Sequence, residues 1–230
     1  MSENQTPVTM TAGYAGSLST NKVLRNTYML LSMTLLFSAL MAGVSMAMAV
    51  PFGVSLITSL AALVLLWFVV PRTANSGAGI GVVFAVTGLL GFGLGPILNH
   101  YLSMANGAQI VMQSLGITGA AFLGLSAYVL TTRKDFSFMS SFLMVGVMVA
   151  FVAGIIALVA GLAGYPMPML ALAVSAMFAF LMCGMILWQT SEIVNGGETN
   201  YVLATIGLYV SIYNLFTSLL HLLGVMGSDD

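Results

Sequence analysis

The stretch WQTSEIVNGGETNYVLATIGLYVSIYNLF, residues 188–216, holds two of the six acidic side chains in the chain and joins two long apolar runs. Asn195, Gly196 and Gly197 read as the stop of one helix. The next run carries a polar stripe. Gly207, Ser211, Asn214, Ser218 and His221 are spaced four, three, four and three apart, which places them on one helical face. Tyr209, Tyr213, Phe216 and Leu220 fall on other faces. An unpaired amide facing hydrocarbon costs several kcal/mol, so the stripe turns inward and the last helix sits among the others. Two readings of the stripe stay open. In one it lines a watered path. In the other, Ser211 and Ser218 bond back to the carbonyl one turn earlier and Asn214 bridges to a neighbouring helix.

The whole chain supports a membrane setting. Its 230 residues are 60% hydrophobic and 5% charged, with a mean hydropathy of +1.07, whereas a soluble domain carries about 25% charged residues. A net charge of −1 without any basic tract excludes nucleic acid as a partner and leaves the lipid bilayer as the main one. Seven runs are long enough to cross a bilayer: 27–49, 52–70, 79–102, 108–130, 140–162, 168–188 and 202–224. The expected fold is therefore an all-α integral membrane protein of seven transmembrane helices. Residues 1–24 read as a disordered N-terminal tail, 25–225 as the helical domain, and 226–230 as a short C-terminal tail. The first 21 residues have no apolar core ahead of a small-residue cleavage site, so no cleavable signal peptide is expected. Cys183 is the single cysteine; within an apolar run it reads as a packed thiol.

The basic residues are Lys22, Arg25, Arg72, Arg133 and Lys134. All five fall in the N-terminal region or in the loops after the second and fourth runs. Cytoplasmic loops carry the excess of Lys and Arg, so the N-terminus is expected in the cytoplasm and, after seven spans, the C-terminus outside. A six-span arrangement with a re-entrant last segment keeps the same asymmetry but returns the C-terminus to the cytoplasm. Helix packing is expected along small residues: Gly88, Gly91, Gly93 and Gly95 in the third run, Ala153, Ala157 and Gly161 in the fifth, and Ala171, Ser175 and Ala179 in the sixth.

Nothing in the sequence resembles a catalytic constellation. It has no metal-ligand cluster, phosphate-binding loop or nucleophile motif, so an enzyme is not expected, nor is a resident cofactor. None of the charged residues falls deep in a run, which argues against a coupled transporter but leaves room for a passive leak lined by hydroxyls and amides. His100 and His221, both near the outer ends of their runs, read either as a pH sensor or as interfacial hydrogen-bonding groups. Glu198 precedes the last helix, where the helix dipole favours negative charge. Glu192 either forms an acidic mouth with Glu198 or pairs with Arg72, Arg133 or Lys134.

Four stretches, LRNTYMLLSMTLLFSAL (24–40), GFGLGPILNHYL (91–102), SAYVLTTRKDFSFM (126–139) and the one quoted first, carry a resemblance to a known family. The chain resembles the Bax inhibitor-1 family of multi-pass membrane proteins, most closely its bacterial YccA-like branch. The resemblance implies a seven-helix fold with the last helix surrounded by the rest, set in the bacterial inner membrane. It also implies two activities. One is modulation of the membrane AAA protease FtsH, engaged through the cytoplasmic N-terminal tail. The other is a pH-sensitive calcium leak, with calcium as the permeant ion, gated by an acid on each of the last two helices. The sixth-helix motif of an aromatic, an acid, Thr and a polar residue stands here as Trp188, Gln189, Thr190 and Ser191. The last-helix motif Leu-Tyr-x-Asp-x-x-Asn-Leu-Phe stands as Leu208, Tyr209, Val210, Ser211, Ile212, Tyr213, Asn214, Leu215 and Phe216. Both acidic positions are therefore neutral, Gln189 and Ser211. Such a pair can hydrogen-bond but cannot titrate, so proton gating is expected to be weak or absent. A homo-oligomer is compatible with the sequence.

Overall fold

A computed structural model describes residues 8–227, with side chains from residue 20 onward. It contains α1 (Val8–Ala47), α2 (Phe52–Thr73), α3 (Ala78–Leu102), α4 (Gly107–Thr132), α5 (Ser140–Leu162), α6 (Pro168–Asn195) and α7 (Tyr201–Met226). All seven are long and apolar enough to cross a membrane, and no strand occurs among the described residues. The last segment is one continuous helix of 26 residues rather than a re-entrant hairpin.

The first helix begins earlier than expected. Residues 8–24, read from the sequence as tail, form its opening turns. Adding residues to an existing helix avoids the cost of a new nucleus, and the next proline after Pro7 is Pro51. Residues 1–7 and 228–230, the remaining parts of the two expected tails, lie outside the described residues.

Helix α7 packs against α1, α3, α4 and α6. Its most apolar window is 61% buried, against 11% for the matching window spanning α5, so α7 is the axis and α5 the rim. Along α5, Phe142, Met148, Ile155 and Val159 are exposed. A bilayer solvates such a surface without penalty, since there is no hydrophobic drive to cover it.

Close packing follows glycine. A methyl at Gly91 would overlap the Ser38 carbonyl, and one at Gly95 would overlap the Ser45 hydroxyl, so the GxxxG pair seats α3 on α1. Gly93 faces the Thr58 hydroxyl of α2. On α5 the ridge differs from the expected one. Gly146, Ala150 and Gly154 meet α6, with Gly146 under Leu181 and Gly154 beside Val174, whereas Gly161 faces open space.

Proline shapes two helices. Helix α2 contains a π-turn at Leu65–Val69 just before Pro71. A proline lacks the N–H and crowds the carbonyl four residues earlier, and a π-turn relieves both conflicts. Within α3, Ser55 of α2 donates to the Gly93 carbonyl at 2.7 Å, one turn ahead of the buried Pro96.

By antiparallel alternation, the α2–α3 turn, the α4–α5 loop and the α6–α7 junction share one end of the bundle, which also holds all five basic residues. This is called the basic end below.

Candidate functional site

At the basic end α6 stops at Gly196, which adopts φ 80° as its C-cap. Glycine enters this left-handed conformation without the strain a Cβ would add. The amides of Gly197 and Glu198 both return to the Glu192 carbonyl, at 2.8 and 3.1 Å. Asn200 then starts α7. Its Oδ1 accepts from the amides of Val202 and Leu203 at 2.9 and 3.3 Å, satisfying donors that no helical carbonyl reaches. Its Nδ2 donates to the Ala74 carbonyl at 3.1 Å and to Asn75 Oδ1 at 2.8 Å, fastening the start of α7 to the α2–α3 turn.

The α6–α7 junction encloses a cleft of about 200 Å³. Trp188, Gln189, Glu192, Glu198 and Gly207 are among the residues that line it. The Trp188 indole donates to Glu192 Oε1 at 3.1 Å, and Glu198 Oε1 accepts from the Asn200 amide at 2.7 Å. Both acidic residues line this one cleft, called the mouth below. Two of the basic partners considered for Glu192 turn elsewhere: the Arg72 guanidinium donates to the Phe68 carbonyl, and Lys134 Nζ lies 5.8 Å from the Tyr128 ring centroid.

Behind the mouth, Ser211 Oγ donates to Gln189 Oε1 at 3.0 Å and lies 3.1 Å from the Gly207 carbonyl. The two neutral residues at the acidic positions of the motif thus meet across α6 and α7. Gly207 allows the approach, because a Cβ there would sit 3.2 Å from Gln189 Nε2. The rest of the stripe divides. Asn214 Nδ2 returns to the Val210 carbonyl at 2.8 Å, so this donor bonds back to its own helix rather than bridging to another. Ser218 is buried. His221 Nδ1 is 2.7 Å from the Ser175 hydroxyl of α6. The stripe therefore meets α6 near both ends, at Gln189 and at Ser175.

At the opposite end His100 and His221 line a second cleft, of about 810 Å³, with Asn99, Tyr101 and Thr217 also in its walls. Asn214 and Ser218 lie along α7 between the two clefts. The structure thus groups Gln189, Ser211, Glu192 and Glu198 at one end and the two histidines at the other.

Several contributors are not visible in the sequence alone. Ser191, fully buried, accepts from the Phe136 amide at 3.0 Å, donates to the Lys134 carbonyl at 3.2 Å, and is reached by Asn195 Nδ2 at 3.2 Å. It holds the α4–α5 loop against α6 beside the acidic mouth. In that loop Asp135 accepts from the Ser137 amide at 2.8 Å, which holds its carboxyl below the usual carboxylate range. On the far side of α7, the hydroxyls of Ser38 and Tyr209 lie 2.6 Å apart, and Tyr209 also reaches the Thr87 carbonyl at 3.3 Å.

Comparison with known proteins identifies the family. Residues 20–228 match the model of the family described as inhibitor of apoptosis-promoting Bax1. A protein of Escherichia coli K12 named modulator of FtsH protease YccA is 50% identical over 212 residues, covering 92% of this chain and 94% of that one. An uncharacterized membrane protein of Vibrio cholerae is 48% identical over 222 residues, covering 96% and 97%. A more distant relative in Neisseria meningitidis serogroup A is 33% identical over 227 residues, covering 94% and 96%.

Proposed function

The chain belongs to the Bax inhibitor-1 family, and from that premise we propose that it is an inner-membrane modulator of an FtsH-type protease rather than an enzyme. The observation that carries this reading is the 50% identity, along 92% of the chain, to a protein named for that role. A membrane-anchored ATP-driven protease needs a handle in the aqueous phase, and residues 2–19 precede the apolar run that begins at residue 27. This segment is polar and small, and positive-inside counting assigns it to the cytoplasm with the basic end. Co-isolation of the protease with the full chain, and loss of the effect on membrane-substrate half-life when residues 2–19 are deleted, are the expected results. Equal substrate turnover with and without the protein overturns the reading.

A second reading is a calcium leak, favoured by the acidic mouth of Glu192 and Glu198 opening onto Gln189 and Ser211. Carboxylates at a mouth raise the local cation concentration, and hydroxyls and amides behind it can replace water around an ion. The inner pair has no titratable group, so conduction through it should vary little with pH. Calcium entry into proteoliposomes is the direct assay; vesicles that stay tight between about pH 5 and 8, where histidine titrates, count against the leak.

A further inference from the structure

Helices α1 and α4 both pack on α7, but they do not pack closely on one another. The seam between them contains two cavities. The deeper is an apolar groove of about 450 Å³ whose walls include Leu35, Ala39, Leu115, Gly119, Phe122 and Tyr213. It follows α1 from Leu35 to Met46, eleven residues or about 16 Å of helix. Its near end, at Leu35, lies about 15 Å below Arg25, close to the middle of a hydrocarbon core of about 30 Å, and its far end runs on into the opposite leaflet. The shallower cavity, about 270 Å³, lies at the basic end between Asn21, Leu24, Arg25, Tyr28 and Leu130. Phe122 stands between the two, since it walls the groove and its ring lies 6.0 Å from that of Tyr28.

The chemistry of the shallow cavity selects an anion. Arg25 supplies an exposed guanidinium and Asn21 an amide donor, and among the described residues no acidic side chain stands in its walls. The Tyr28 hydroxyl is buried without a hydrogen-bond partner, and a buried hydroxyl left unpaired is unfavourable. A phosphate oxygen would accept from all three groups, and a charged acceptor strengthens each bond. The level is right for a headgroup: Arg25 directly precedes the apolar run that begins at residue 27, and Tyr28 sits where aromatic residues mark the membrane interface. From Arg25 to Leu35 is ten residues, about 15 Å, so a chain entering beside Tyr28 reaches the groove with its terminal methylenes.

We propose that the α1–α4 seam binds one anionic phospholipid, its phosphate held by Arg25, Asn21 and the Tyr28 hydroxyl and one acyl chain directed into the apolar groove. The site lies beside α7, so its occupant packs against Tyr213 of the central helix.

Native mass spectrometry of the purified full chain, offered phosphatidylglycerol or phosphatidylcholine with matched chains, tests the assignment. Retention of phosphatidylglycerol over phosphatidylcholine by about tenfold is expected, because both lipids present the phosphate but only phosphatidylcholine brings a cation that opposes Arg25. Arg25→Gln should remove most of that preference. Gly119→Leu should reduce retention of both lipids, because a Cβ at Gly119 meets nothing within 4 Å and the added side chain grows into the groove rather than into a neighbour. Equal retention of the two lipids by the unmodified chain overturns the proposal, as does unchanged retention in both variants. Displacement of phosphatidylglycerol by inorganic phosphate would also overturn it, assigning the cavity to a free anion.

Discussion

Gln189 and Ser211 occupy positions where the family pattern places two acids, and their 3.0 Å hydrogen bond keeps that geometry without a charge. Two carboxylates at such a distance cannot both ionise freely; they share a proton, and one of them titrates well above the usual carboxylate range. The double variant Gln189→Glu, Ser211→Asp should therefore make calcium flux in proteoliposomes pH-dependent, lowest when the pair is protonated and rising as pH increases. The unmodified chain should give a nearly flat profile over the same range. Gly207→Val should disturb the site from the opposite direction, since even a single added carbon would crowd the Gln189 amide at 3.2 Å. Its expected signature is a change in flux magnitude without any new pH dependence. At this scale the sequence is informative but incomplete. The motif alone indicates that residues 189 and 211 are neutral, whereas the inward stripe could not distinguish Asn214 as a bridge from Asn214 bonded to its own helix. That choice depends on a rotamer, and spacing carries no rotamer information.

Each helix is legible from its apolar run, because hydrocarbon thickness sets its length. The connections that hold the helices in place are less legible. Asn200 reads as a loop residue in WQTSEIVNGGETNY, yet it caps α7 and also donates to Ala74 and Asn75, more than a hundred residues away. Asn200→Ala removes the cap and both cross-links together. Loss of the cap alone costs about 1 kcal/mol, and the two lost bonds add a cost of the same order. Thermal unfolding in detergent should show the decrease, while Asn200→Asp should recover the cap but not the bonds to the α2–α3 turn. Ser191 has a comparable role for the α4–α5 loop. Ser191→Ala leaves the Phe136 amide and the Lys134 carbonyl without that partner. Faster amide exchange at Phe136, with little change in α6, is the expected readout. The small-residue ridges divide in the same way. Gly91 and Gly95 lie where the sequence indicates a close contact, so Gly95→Leu should prevent α1 from seating and destabilise the bundle by about 1–3 kcal/mol or more. On α5, by contrast, several faces carry small residues, and the partner helix selected the Gly146, Ala150, Gly154 face. One sequence cannot reveal that selection.

For the molecule as a whole, an apolar core coexists with buried hydroxyls and an apolar outer surface. Serine and threonine are buried at Thr27, Thr34, Ser38, Ser45, Thr190, Thr205 and Ser211, while Phe142, Met148, Phe180 and Leu162 face outward. The composition anticipates this pattern, because hydrocarbon removes the reason to hide apolar side chains and adds one to hide polar ones. The expected orientation rests on the same logic, through the five basic residues at one end. A cysteine-labelling experiment can test it directly. Cys183 is the single native cysteine and is half-buried in α6, so a Cys183→Ala background should fold normally and carry no thiol. In that background, Ser76→Cys places an exposed thiol in the α2–α3 turn and Ser103→Cys places one just after α3 at the opposite end. In intact cells a membrane-impermeant maleimide should label Cys at 103 and leave 76 untouched; after the membrane is opened, both should react. The reverse pattern would reassign the acidic mouth to the outer face. It would also remove the N-terminal segment from reach of a cytoplasmic protease. Replacing Arg72, Arg133 and Lys134 together by Gln then separates the cause from the correlation. If loop charge sets the topology, labelling of the two thiols should become mixed, since Lys22 and Arg25 alone remain to hold the basic end inside. If labelling is unchanged, the orientation is fixed instead by the first span and its two basic residues, and the three loop charges contribute only to the surface of the bundle.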